Sequence, residues 1–292
     1  MNWAVAHRIA GIAAAQAHRG LGIDRTCYVP VHQALKRAEV VGMAQPMPRL
    51  FGVYLSPADN GPAVLLNANL NIVTQRHTAA HELGHHQLRH RTAADDDLSP
   101  ALRWGNGSWP DEEKTAEAFA AWFLMPRPAV LAGLDRICRG QPTSPEHVYR
   151  LARELGTSYA GTVRHLQNLR LLDADRARQW AKISLAALRS SLAGGAALSA
   201  EAQVHVVTTS SHRQQIHVDV GDVLIVRSAE AAFVSLPKGL ACCTDVEQAA
   251  VVTDELGDPV VLDVSVADRD EPVRLTVVRD APRAGVHDVW PD

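Results

Sequence analysis

The residues best placed to do chemistry are His81-Glu82-Leu83-Gly84-His85. On a helix, residues four apart project from one face on successive turns, so His81 and His85 could share one tetrahedral ion. Glu82 lies one position round, near enough to take a proton from a water activated there without itself being a ligand. The chemistry of such a site is metal-assisted hydrolysis. The competing reading is a helix with exposed histidines, or core histidines satisfied by hydrogen bonds. Two features favour a site. Five of the fourteen histidines fall between His77 and His90, and the flanks Ala79-Ala80 and Leu83-Gly84 are small and apolar, as a buried helix requires.

A third donor is available downstream, in Glu113-Lys114-Thr115-Ala116-Glu117-Ala118-Phe119-Ala120. Glu113, Ala116 and Ala120 share one helical face, and the alanines let this helix approach the first closely. Glu113 then supplies a third protein ligand and leaves a fourth position for water, whereas structural zinc sites fill all four positions with protein. Glu112 and Glu117 compete for the role. His77, His86 and His90 read as solvent-facing or as outer hydrogen-bond partners, His90 in particular. Asp95-Asp96-Asp97 lacks ordered further ligands for calcium and reads as a solvated loop.

Stepping outward, the histidine pattern sits in a helix over about 75–90 and the acidic pattern in one over 111–124, stopped by Met125-Pro126. Phe51–Leu55 and Ala63–Asn67 read as strands joined by a turn-rich segment. Val64, Leu65, Leu66 and Asn67 are candidates for an edge strand that pairs with an extended substrate, the alternative being ordinary sheet core. A first helix carries Trp3, Ala6, Ile9, Ala13 and Ala17 on one face. Arg8 with Ile9–Ala15 and Ala15-Gln16-Ala17 has the outline of a signal peptide, but the run is short and mostly Ala and Gly, so a helix is the better reading. Val29–Ala38 reads as a second short helix.

Residues 143–172 look like a helix–turn–helix. Thr143 and Glu146 suit a capping box, Leu151, Ala152 and Leu155 face inward, Gly156 makes the turn, and Ser158 caps the next helix. Its outward cations are Arg164 and His165. A helix covers 176–192, and Ala193-Gly194-Gly195-Ala196 is a linker. Beyond it six segments alternate with period two: Val204–Thr208, Ile216–Val218, Val223–Val226, Phe233–Leu236, Val260–Val266 and Val273–Val278. Asp245–Leu256 reads as a helix among them.

The 292 residues are 47% hydrophobic and carry a net charge of −3, which points to a packed core and to neither a nucleic-acid nor a membrane binder. The balance is uneven. Residues 141–190 hold 8 Lys/Arg against 4 Asp/Glu, and residues 201–292 hold 7 against 16. The four cysteines show no pairing pattern, in keeping with a reducing compartment, and no apolar stretch nears the ~20 residues of a membrane span. The fold class is α+β: a peptidase-like domain over 1–140, a helix–turn–helix-like segment over 141–192, and a β-rich α+β domain over 196–292.

Taken in order, Gly52-Val53-Tyr54, Ala63-Val64-Leu65-Leu66-Asn67, Gln75-Arg76-His77-Thr78-Ala79-Ala80-His81-Glu82-Leu83-Gly84-His85 and Glu113-x-x-Ala116-x-x-Phe119-Ala120-x-x-x-Leu124-Met125-Pro126 resemble the ImmA/IrrE family of zinc metallopeptidases. The resemblance covers about residues 1–175. It implies a zincin-like fold, one Zn²⁺ per chain on His81, His85 and Glu113, Glu82 as the catalytic base, and a cytoplasmic location. The implied substrate is an XRE-type helix–turn–helix repressor, cleaved to induce a stress, DNA-damage or mobile-element response. Two positions depart from the family: Glu117 where Asn is usual, and Phe123 where Leu is common. Residues 196–292 are matched only by analogy, to the GAF-like sensor of radiation-response members, which makes a small ligand or single-stranded DNA the implied trigger. The alternative is a DNA-binding regulator with a structural zinc site. Against it, the recognition helix carries few cations.

Overall fold

A computed structural model describes residues 1–95, 109–196, 198–227, 230–246, 248–267 and 269–280. Asp96 and Asp97 of the aspartate run, read above as a solvated loop, lie outside them, as do residues 98–108. The described elements are α and β in both parts of the chain. Chain contacts divide it into two compact units, one built on Met1–Ala132 and the other on Gly133–Ala281.

The first unit starts with helix α1 (Trp3–Gly20), capped by Asn2, whose side chain accepts from the Val5 N–H. Its buried face includes Ala6, Ala10, Ala14 and Ala17; of the expected face Ala6 and Ala17 are buried, whereas Trp3 and Ile9 are exposed. Small side chains win because α1 lies close against a long helix, α4 (Asp111–Leu124). There a larger residue would hold the backbones apart. Helix α2 (Val31–Arg37) and strand β1 (Val41–Gln45) follow, then β2 (Gly52–Leu55), β3 (Ala63–Asn67), helix α3 (Ile72–Gln87) and β4 (Ala93–Asp95).

The four strands make one sheet in the order β1-β3-β2-β4. β3 runs parallel to β1 (Val41 opposite Ala63) and antiparallel to β2 (Gly52 opposite Leu66). This corrects the edge-strand expectation for Val64, Leu65, Leu66 and Asn67: both ladders of β3 are filled, and β1 and β4 hold the edges. Val64 and Leu66 are core, each fully buried. Burial on that scale is worth about 1.5–3 kcal/mol per side chain. Asn67 is fully occupied too. Its amide donates to Met47 O (2.6 Å) and Leu50 O (2.7 Å), while its carbonyl accepts from the Met47 and Asn69 N–H groups.

The second unit begins within α5 (Arg127–Cys138) and continues with α6 (Pro145–Leu155), α7 (Tyr159–Asn168), α8 (Ala174–Trp180) and α9 (Leu185–Leu192). The α6–α7 pair has the expected inward face, with Leu151, Ala152 and Leu155 fully buried, Gly156 left-handed at φ 63°, and Ser158 accepting from the Gly161 N–H. The expected capping box does not form. Ser144 is the N-cap, the Thr143 N–H donates to His147 Nδ1, and Glu146 pairs with Arg227 instead. His165, expected outward, is 1% exposed. The helix expected over 176–192 is broken between Trp180 and Leu185. Residues 193–196 form a turn closing α9, bridged by Arg189, whose guanidinium donates to Ala200 O and Ala202 O.

Eight strands follow: β5 (Val204–Val207), β6 (Gln215–Val218), β7 (Val223–Val226), β8 (Ala232–Phe233), β9 (Leu240–Cys242), β10 (Ala249–Val252), β11 (Val260–Ser265) and β12 (Val273–Arg279). They form two mixed sheets, β5-β7-β10-β9 and β6-β12-β11-β8, sharing a core that includes Leu224, Val252, Leu262 and Leu275. The helix expected over Asp245–Leu256 is strand β10 and turns. β10 is flanked on both sides by partners, β7 and β9, and that ladder overrides the helix-forming composition of Glu247-Gln248-Ala249-Ala250. The GAF-like analogy thereby loses its one helix.

Candidate metal centre

Helix α3 is capped by Asn71, which accepts from the Thr74 N–H, and it presents His81 and His85 from successive turns. Both rings are 1% exposed. Helix α4 opens with Asp111, Glu112 and Glu113 in its first turn, where negative charge complements the helix dipole. It packs against α3 through Gly84, where a Cβ would come within 3.0 Å of the Phe119 ring. That close approach delivers Glu113 to the histidines. Glu112 points elsewhere and is exposed.

His81 Nε2 lies 3.0 Å from His85 Nε2 and 3.2 Å from Glu113 Oε2, and His85 Nε2 lies 3.5 Å from Glu113 Oε1. Two donors bound to one tetrahedral ion at about 2.0–2.1 Å sit about 3.3 Å apart. The observed spacings bracket that edge length, and among the described residues this is the one group of three such donors within 4.8 Å of one another. Charge agrees with geometry. Glu82, Glu113 and Glu117 crowd two buried rings, and carboxylates taken out of water demand a cation. The His81 ring responds accordingly. Burial disfavours its charged form, but hydrogen bonds to Glu113 and Glu117 and the charge of Glu82 outweigh this and hold its pKa well above the imidazole range. Burial likewise opposes ionisation of Glu113, yet its bonds to both histidines keep it far below the carboxylate range. The residues present therefore fit a divalent ion.

Outer partners fix the rings. Glu117 is 5% exposed and lies 3.4 Å from His81 Nδ1 and 2.9 Å from His77 Nε2. His90 Nδ1 lies 3.1 Å from His85 Nδ1, and burial with the charge of His85 lowers the His90 pKa to about 4. His90 Nε2 in turn meets Thr115 Oγ1 at 3.5 Å. His86 is turned away from the cluster, with its Nδ1 3.2 Å from the Tyr54 hydroxyl. Sequence offered Glu117 only as a rival ligand. Its place on the His77–His81 face was readable from the four-residue spacing of both pairs. Glu82 is 1% exposed and lies beside Gly52 of β2, where a Cβ would be 2.7 Å from its Oε1. The hydroxyls of Tyr149 and Tyr159 are engaged inside the second unit: Tyr149 with Gln203 and the Val204 N–H, Tyr159 with Trp180 O.

A helix bearing His-Glu-x-x-His, an acidic donor from a second helix and a sheet alongside define a metallopeptidase-type centre. Residues 49–165 match the family model described as the IrrE N-terminal-like domain, so this stretch is similar to the ImmA/IrrE metallopeptidases. The match takes in His81, Glu82, His85 and Glu113 and ends within α7. Peptidases of this family are metal-dependent. No curated protein matches the chain.

Proposed function

We propose that the chain is a zinc-dependent endopeptidase that cleaves one partner protein, an XRE-type helix–turn–helix repressor, and so induces a stress, DNA-damage or mobile-element response. The observation that carries the enzymatic part is the convergence of His81, His85 and Glu113 beside a buried Glu82. Zinc, when bound by those three donors, would polarise the scissile carbonyl and acidify a water towards neutrality. Glu82 takes the proton of the attacking water and hands it to the leaving amine. Glu117 and His90 hold the two rings in register through their Nδ1 atoms, so that Nε2 of each faces Glu113.

The repressor as substrate and a cytoplasmic setting rest on the family resemblance. No helix among the described residues is long and apolar enough to cross a membrane. The second unit is read as a sensor that responds to a small ligand or to single-stranded DNA. The rival reading, a DNA-binding regulator with structural zinc, is weakened by burial of His165, which leaves Arg164 as the helix's remaining expected cation.

Mixing the purified chain with zinc and the repressor encoded nearest to it should yield a single cut. Glu82→Gln should keep zinc and lose cleavage, while His81→Ala and His85→Ala should lose zinc. Full cleavage by Glu82→Gln would overturn the assignment.

A further inference from the structure

Within the second unit, an arginine-lined cleft stands out against the acidic composition of residues 201–292. It is a cleft of about 50 Å³, open to solvent, between α5, α6 and the β5–β6 region, and Arg136, Arg150, Arg153, Glu154, Ser210 and Gln215 are among its lining residues. Its charges do not cancel. Glu154 is committed to Arg136. His205, also on the wall, is paired with Asp222 at 3.1 Å. Arg153 donates one bond to Thr157 O and stands 5.6 Å over the Tyr149 ring, and its Nε is buried with no hydrogen-bond partner. Arg150 has no hydrogen bond or ion pair to any described residue; the nearby Glu146 is taken by Arg227.

Three guanidinium groups and one carboxylate thus line the cleft, and Glu146 and Asp222 act on Arg150 and Arg153 through charge alone, without an ion-pair contact. Burial pushes the pKa of both Arg150 and Arg153 down, which measures how poorly solvated they are. Cations taken from water with no carboxylate in contact are costly, and an anion that enters recovers part of that cost. Guanidinium forks match the paired oxygens of a tetrahedral oxyanion better than they match water.

We propose that this cleft binds a phosphate-bearing small molecule, held principally by Arg150 with Arg136 and Arg153 flanking it. The proposal is independent of the peptidase reading, because every residue it uses lies in the second unit and its test reads binding.

The test measures the unfolding midpoint and the binding isotherm of the full chain at fixed ionic strength in chloride. The probes are inorganic phosphate, adenosine monophosphate, adenosine and a thymidine decamer. Adenosine monophosphate should bind and raise the midpoint, inorganic phosphate should do so more weakly, and adenosine should do neither. Arg150→Gln should weaken binding about tenfold or more, the scale expected for loss of a charge-assisted forked bond. Ser210→Glu places a carboxylate on an exposed position of the lining, so the fold is kept while the cations are satisfied internally. It should abolish binding. Neither substitution touches the metal centre, so an anion held there would bind both variants undiminished, and that result overturns the proposal. Equal binding of chloride and phosphate overturns it as well. Binding of the decamer without the mononucleotide would replace the small molecule with a single strand.

Discussion

Glu117 Oε2 lies 3.4 Å from Nδ1 of His81, the ring nitrogen opposite the one that faces Glu113. A carboxylate in this position holds the tautomer that leaves Nε2 free to ligate, and it strengthens the imidazole as a donor. Glu117→Gln should therefore lower zinc affinity about 10–100-fold, read by competition with a chromophoric chelator. Unchanged affinity would mean that the carboxylate serves packing alone.

Gly52 touches the centre from the sheet side. A Cβ there would lie 2.6 Å from Thr78 Cγ2 and 2.7 Å from Glu82 Oε1. Gly52→Ala should displace the Glu82 carboxylate, leaving zinc content near one per chain while cleavage drops at least about tenfold; overpacking of this kind costs about 1–3 kcal/mol of stability. Metal analysis beside a cleavage assay separates the two effects.

Asn67 ends the interior strand β3 and pins the chain between Met47 and Leu50. Asn67→Ala strands buried backbone groups and should cost about 2–4 kcal/mol by denaturant unfolding. Cleavage per folded molecule should stay near that of the native chain. A selective loss of substrate affinity would restore the substrate-strand idea.

Asp222 gives the second unit an acid limit. Burial alone would raise its pKa, but the bond and charge of His205 and the N–H donors of Asp219 and Gln203 prevail and lower it. A carboxyl whose folded pKa lies below the unfolded value of 3.8 stabilises fully above that value, and it loses this contribution as pH falls through the folded one. Asp222→Asn cannot ionise, so it should be less stable than the native chain at neutral pH and less sensitive to acid below pH 3.8. Unfolding curves of equal slope against pH for both proteins would remove Asp222 as the cause.

What the sequence disclosed follows local geometry. The spacing of His81 and His85, the alanine face beside Glu113 and the Gly156 turn are all settled within one or two helical turns, so residue order alone reveals them. What it concealed depends on neighbours distant in the chain. Whether β3 is an edge depends on β1, a strand whose five residues, Val41-Gly42-Met43-Ala44-Gln45, carry little β signal. The run Ala63-Val64-Leu65-Leu66 is apolar on both faces, and that continuity marks an interior strand. β10 was hidden by good helix formers that only a two-sided ladder could override. On α1, Trp3 and Ile9 signal the wrong face because large apolar residues usually face inward, whereas close helix packing prefers alanine.

The contact between Gly84 and Phe119 ties the spacing of the metal motif to the identity of a residue 35 positions away. Any side chain at 84 meets the ring at 3.0–3.2 Å. A drift outward by α4 would carry Glu113 off the histidines, so the two positions form a linked pair under selection. A chain that acquires alanine at 84 can keep its third ligand only by shrinking residue 119, and the substitutions should show strong positive epistasis: each harmful alone, tolerable together.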